Sequence, residues 1–142
     1  MKHKNIAGVL GLLAIAMIIS LPHAQAQSRL IANVPFNFEA GQTAMAAGQY
    51  EVVSLSQQAG ELRNLNTDAT DVFIKSMRVQ ASNGGHARLV FHKYDNQYFL
   101  SEIWDGESNT GIQLSQSRHE KEVRLAGNRV SDGPETVIVA MR

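Results

Sequence analysis

The sequence predicts a mainly β domain, a single antiparallel β-barrel or sandwich of about seven strands with one short helix near the C-terminal end. Three observations lead there. Apolar residues recur at every second position in short runs, and clusters of Gly, Asn, Asp and Pro separate those runs. The third is Ala87–Trp104, ARLVFHKYDNQYFLSEIW, the densest apolar and aromatic stretch after the N-terminus. It is predicted to be a hairpin, because Asp95-Asn96 tolerate the positive φ of a two-residue primed turn and both flanks are rich in β-branched and aromatic residues. Counting outward from that turn pairs His92 with Phe99, Phe91 with Leu100, Leu89 with Glu102 and Ala87 with Trp104. One face then carries Leu89, Phe91, Tyr98, Leu100, Glu102 and Trp104, and the other Arg88, Val90, His92, Tyr94, Phe99, Ser101 and Ile103. Both faces are partly apolar, so the hairpin is expected to be covered on both sides.

The chain opens with Lys2 and Lys4, an apolar segment of 16 residues from Ile6 to Leu21, and Ala24-Gln25-Ala26. This pattern predicts a secretory signal peptide over 1–26, cleaved after Ala26, because the segment is shorter than the roughly 20 residues needed to span a bilayer. The remaining 27–142 suffice for one domain with one core. In Leu30–Glu39, Val34, Phe36 and Phe38 alternate with Pro35, Asn37 and Glu39, which predicts a half-buried strand with Pro35 at its start or on an edge. Ala40–Thr43 turns the chain into a strand over Gln49–Leu55, expected to pair with the first. Turns at Gln57–Gly60, Asn66–Asp68 and Ser82–Gly85 bound strands over Glu61–Leu65 and Thr70–Val79.

Asp105–Gly111 is polar and glycine-rich, a loop. Ser117-Arg118-His119-Glu120 fits a capping box, in which the Ser hydroxyl and the Glu carboxylate each satisfy a free backbone N–H, and Gly127 can end the helix that follows. Its few apolar residues, Val123, Leu125 and Ala126, oblige it to lean on the sheet. Asp132-Gly133-Pro134 breaks the chain again, and Thr136–Met141 is the last strand, returning to an open sheet edge.

Without Lys2 and Lys4 the chain holds 11 basic and 13 acidic residues, a net charge of about −2. With no basic block, binding to nucleic acid or to an anionic membrane surface is disfavoured. The absence of cysteine excludes disulfides, thiol catalysis, zinc–thiolate sites and a lipidated N-terminal cysteine. The mature protein is expected in the periplasm or outside the cell, with no stable membrane anchor. A lipid-facing barrel is a third possibility that fits poorly, since eight strands of about 9–11 residues would take up most of the mature chain and the polar loops and the Met141-Arg142 end do not suit it.

Val34-Pro35-Phe36-Asn37-Phe38-Glu39-Ala40-Gly41, Arg88–Trp104, and Thr110–Leu114 through Ser117-Arg118 together resemble small secreted proteins of unknown function abundant in acidobacterial genomes. The resemblance covers most of the mature chain and implies a secreted single domain without assigned chemistry. Met45-Ala46-Ala47-Gly48 stands where Leu-Pro-Ala-Gly would be expected, and Ser115 where a proline often follows the leucine.

For chemistry, the mature chain offers His86, His92 and His119, expected in a turn, a strand and the helix. None has H-x-x-x-H spacing or an acidic ligand at a fixed offset, so no metal site and no cofactor are expected. Serine chemistry lacks the G-x-S-x-G elbow, and Asn83-Gly84-Gly85 is a turn rather than a phosphate cradle. Glu102 with Asp105 or Glu107 could flank a glycosidic bond, though the domain leaves little room for a sugar cleft. The most suggestive set is Tyr98, Glu102 and Trp104, a carboxylate between two amphipathic aromatics on one predicted face, as at the mouth of a ligand cavity. Two functions follow: a non-catalytic module binding a protein partner or a small apolar ligand, and, as the alternative, a small hydrolase using His92 or His119 with a loop carboxylate.

Overall fold

A computed structural model describes residues 29–56, 59–67, 72–80, 85–107, 110–127 and 133–142. The predicted signal segment and its cleavage site lie outside these residues, as do Gln57-Gln58, Asp68, Ser82–Gly84 and Asp132 of the expected turns and Thr70-Asp71 of the expected strand. Ten strands and one helix are described: β1 (Leu30–Val34), β2 (Phe38–Ala40), β3 (Thr43–Met45), β4 (Gly48–Ser56), β5 (Ala59–Asn64), β6 (Val72–Gln80), β7 (Arg88–Tyr94), β8 (Gln97–Trp104), β9 (Thr110–Leu114), α1 (Arg118–Ala126) and β10 (Glu135–Ala140). The surplus over the expected seven has three sources. Pro35, which cannot donate to a ladder, splits the first run into β1 and β2; β3 is a short return strand on β2; and Thr110–Leu114, after the glycine-rich loop, is a strand.

The strands build two sheets that are not closed into a barrel, a sandwich-like fold. One sheet is the antiparallel set β1-β4-β5. The other is β9-β8-β7-β10, with β2 running parallel to β8 at Glu39 opposite Phe99. The strand β6 belongs to both, pairing with β5 over Val72–Lys75 and with β9 over Ser76–Gln80, a sheet-switching strand of the kind that makes sandwich corners. At another corner Ala32 bridges Met141, and Ile31 and Arg142 exchange backbone hydrogen bonds of 2.9 and 3.0 Å.

Inward-facing residues of both sheets form one core. Tyr50, Phe91, Leu62, Leu89 and Val34 are its largest fully buried side chains. Phe36, in the break made by Pro35, stacks on Tyr98 (3.9 Å between centroids, 14° between planes) and meets Phe91 edge-on at 5.2 Å, and Phe38 meets Phe91 in the same way. The buried Tyr50 hydroxyl donates to the Ala46 carbonyl and accepts from Asn64 Nδ2 at 3.1 Å; burial pushes this phenol above its ordinary pKa.

The central hairpin follows the predicted register only as far as Phe91 opposite Leu100. Asp95 alone takes a positive φ, 51°, at its tip. Beyond Phe91 the pairs are Val90–Glu102, Leu89–Ile103 and Arg88–Trp104, so Ser101 is an extra residue, a β-bulge. Past it every β8 side chain changes face. Ile103 joins Leu89, Phe91 and Leu100 in the core, while Glu102 and Trp104 turn outward. The outer face is covered in part by α1, so the hairpin is flanked on both sides.

Candidate functional site

The bulge corrects the set Tyr98, Glu102 and Trp104. Tyr98 stays on the core face against Phe36, and the other two lie on the opposite face. There Trp104 Nε1 donates to Glu102 Oε2 at 2.8 Å, the Arg88 guanidinium sits 5.0 Å from the indole, and the ring lies across Gly111, its cross-strand partner. Trp104 is 7% exposed. The two aromatics therefore do not share a cavity mouth, and Glu102 serves as acceptor for the indole. In the loop that follows, Asp105 accepts from the Glu107 N–H at 3.0 Å, and both acids are exposed.

The outer face assembles a different group. His92 from β7, Ser101 from the β8 bulge and Glu120 from the first turn of α1 are joined in sequence: His92 Nδ1 lies 2.8 Å from Glu120 Oε1, and His92 Nε2 lies 3.1 Å from Ser101 Oγ. A carboxylate accepts, so Nδ1 donates to Glu120, and in the neutral imidazole Nε2 is left to accept from the serine hydroxyl. Ser101 and Glu120 are buried, at 5% and 4%, whereas the His92 side chain is about a quarter exposed. The Glu120 oxygen also receives longer contacts of 3.4 Å from the Tyr94 hydroxyl and Gln116 Nε2. Burial, and next the Glu120 carboxylate, push the Tyr94 phenol above its ordinary pKa.

Sequence reasoning placed Glu120 in the helix but assigned its carboxylate to the cap. Half of the predicted box forms: the Glu120 N–H donates to Ser117 Oγ at 2.9 Å. The other half does not, because the carboxylate turns down to His92. Gly127 ends the helix with its N–H on the Val123 carbonyl at 3.0 Å and a negative φ of −71°. Of the three apolar residues expected to lean on the sheet, Val123 is half-buried while Leu125 and Ala126 are exposed; Glu120 is the helix's buried residue. A second polar contact fixes the helix, His119 Nδ1 to Glu39 Oε2 at 2.8 Å, with the His119 ring edge-on to Phe99 at 5.5 Å. Each histidine of the hydrolase alternative thus meets a carboxylate, but on a helix and a strand rather than a loop.

Ser101 was the residue the sequence did not single out. Its signal is the polar doublet Ser101-Glu102, which interrupts the alternation of Tyr98, Leu100 and Ile103 and marks the change of phase. His86 is exposed and stands apart from the group. Among the described residues no cluster of three His, Asp or Glu side chains could hold a metal ion. Comparison with protein-family models, curated proteins and solved structures finds no match.

Proposed function

We propose that this chain is a secreted or periplasmic binding module that takes an extended segment of a protein partner along the margin of β10. The observation that carries this reading is the one-sided ladder of that strand. Among the described residues β7 is its ladder partner, and β1 approaches it at the C-terminal end through the Ala32–Met141 bridge. After Glu135, which pairs with Lys93 at 2.9 Å, its residues Thr136-Val137-Ile138-Val139 are uncharged and β-branched, and Ile138 is 60% exposed. Free backbone groups on such a strand form a template for an added strand, with alternate side chains supplying selectivity. A small apolar ligand held between Tyr98 and Trp104 is the weaker option, because the bulge places the two rings on opposite faces.

The test is site-specific photo-crosslinking in the native envelope. A photoreactive side chain at position 138 is expected to give a discrete adduct that Thr136→Pro suppresses, because the Met141 N–H bonds to Ala87 beside β7 and the alternating N–H groups of residues 136 and 138 therefore face the free margin. The same group at exposed Leu65 is expected to give none. Equal adducts at both positions, or none at 138, would reject strand addition.

A further inference from the structure

We infer that Ser101, His92 and Glu120 form a serine-centred acyl-transfer site for small esters, an activity separate from partner binding at β10. The order of contacts carries the inference. Ser101 Oγ faces Nε2 and Glu120 Oε1 faces Nδ1 of the same imidazole, at 3.1 and 2.8 Å. That is the connectivity in which an imidazole takes a hydroxyl proton while an acid holds its tautomer and orientation. A histidine held by a carboxylate alone would need no serine on its other nitrogen. Here the serine arrives through a bulge, a device that re-aims a side chain and is frequent beside active sites.

The step balances with water as the co-reactant. Ser101 Oγ bonds to the ester carbonyl carbon as its proton passes to His92 Nε2. The ester C–O bond breaks, and Nε2 returns the proton to the departing alkoxide, which leaves as the alcohol. Water then adds to the acyl-serine, gives its proton to Nε2, and the acid departs as Ser101 Oγ regains that proton. Glu120 is a positioning residue, acting through His92.

Burial sets the substrate class. Ser101 is 5% exposed, the His92 side chain is about a quarter exposed, and the same strand face carries Phe99 and Val90, both buried. Only a short acyl group can enter beside the imidazole, so acetyl-sized esters are expected to react and long-chain or aromatic acyl esters to be excluded.

The test uses the full mature chain with p-nitrophenyl acetate and, separately, a small alkyl fluorophosphonate, followed by intact mass and peptide mapping. One adduct on Ser101 is expected in the folded protein, lost when the protein is unfolded in urea. Labelling should be about a hundredfold slower or more in His92→Gln. Glu120→Gln should slow it while Glu120→Asp partly restores it, with the pH profile of labelling displaced in both. Longer acyl esters should leave Ser101 unmodified. No adduct on Ser101 in the folded wild-type chain would overturn the proposal whether or not the variants fold, and would leave the group as a fastener of α1. Labelling at an unchanged rate in folded His92→Gln would overturn it too.

Discussion

Gly111→Ala is expected to destabilise the protein, although at an ordinary strand position the same change gains about 0.5–1 kcal/mol by restricting the unfolded chain. The added Cβ would lie 2.6 Å from Cδ2 and Cε3 of Trp104 and 2.9 Å from Cε2. Carbon atoms prefer about 3.5–4.0 Å, so the indole would have to retreat by about 1 Å. Its retreat is opposed by the 2.8 Å hydrogen bond from Nε1 to Glu102 and by the Arg88 guanidinium 5.0 Å from the ring. Overpacking of this kind costs about 1–3 kcal/mol, enough to reverse the sign of the glycine effect. Urea unfolding followed by far-UV circular dichroism measures the change. In a Trp104→Leu background the clash is gone, so Gly111→Ala should become neutral or favourable, and the difference between backgrounds is the coupling. A stabilising Gly111→Ala with Trp104 present, or an equal cost in both backgrounds, would refute the packing argument.

Phe91→Ala should cost about 3–5 kcal/mol in the same titration, by loss of transfer energy and by the cavity left between Phe36 and Phe38; a loss under about 1 kcal/mol would remove Phe91 from the core. The Glu51 carboxyl is held below its ordinary range first by the hydrogen bond from Arg29, and by the charges of Arg29 and Arg63. A lowered folded pKa means stability that is present above the ordinary carboxylate range and lost as pH falls through the folded value. Glu51→Gln should therefore flatten the acid limb of the stability–pH curve, and an unchanged limb would show that this pair contributes nothing.

The parts of the fold set by near neighbours were legible. Asp95-Asn96 fixed the hairpin and its register as far as Phe91, and Ser117, Glu120 and Gly127 bracketed the helix within its bounds. Failures began where one residue had competing partners. The Glu120 carboxylate could reach back to its own helix cap or to a histidine 28 positions away, and only the fold brings that histidine beneath it. At Ser101 the polar doublet with Glu102 is the one mark of the bulge, and without glycine or turn chemistry beside it unbroken alternation is the natural extrapolation. That extrapolation inverted Glu102, Ile103 and Trp104 together. One inserted residue thus dissolved the expected Tyr98–Glu102–Trp104 site and created the Ser101–His92–Glu120 group.

The bulge makes an unusual deletion tolerable. Removing a residue from a central strand ordinarily flips every later side chain to the wrong face. Removing Ser101 does the reverse, because Leu100 is then followed directly by Glu102. Phe91 stays opposite Leu100, Val90 opposite Glu102, Leu89 opposite Ile103 and Arg88 opposite Trp104, now in unbroken alternation. The expected losses are the hydrogen bond to His92, about 0.5–1.5 kcal/mol, and the local twist that the bulge imposes. The variant lacking Ser101 should unfold cooperatively, with the emission of Trp104 as in the parent. Deletion of Phe99, which leaves the bulge in place and shifts Tyr98 and Gln97 against Lys93 and Tyr94, should abolish the fold. If the two deletions are equally damaging, Ser101 is not a simple insertion and the register argument fails. If the Ser101 deletion folds, it also presents His92 on an intact hairpin, with Glu120 of α1 above it, without the proposed nucleophile. Any ester hydrolysis it retained would then belong to some group other than Ser101.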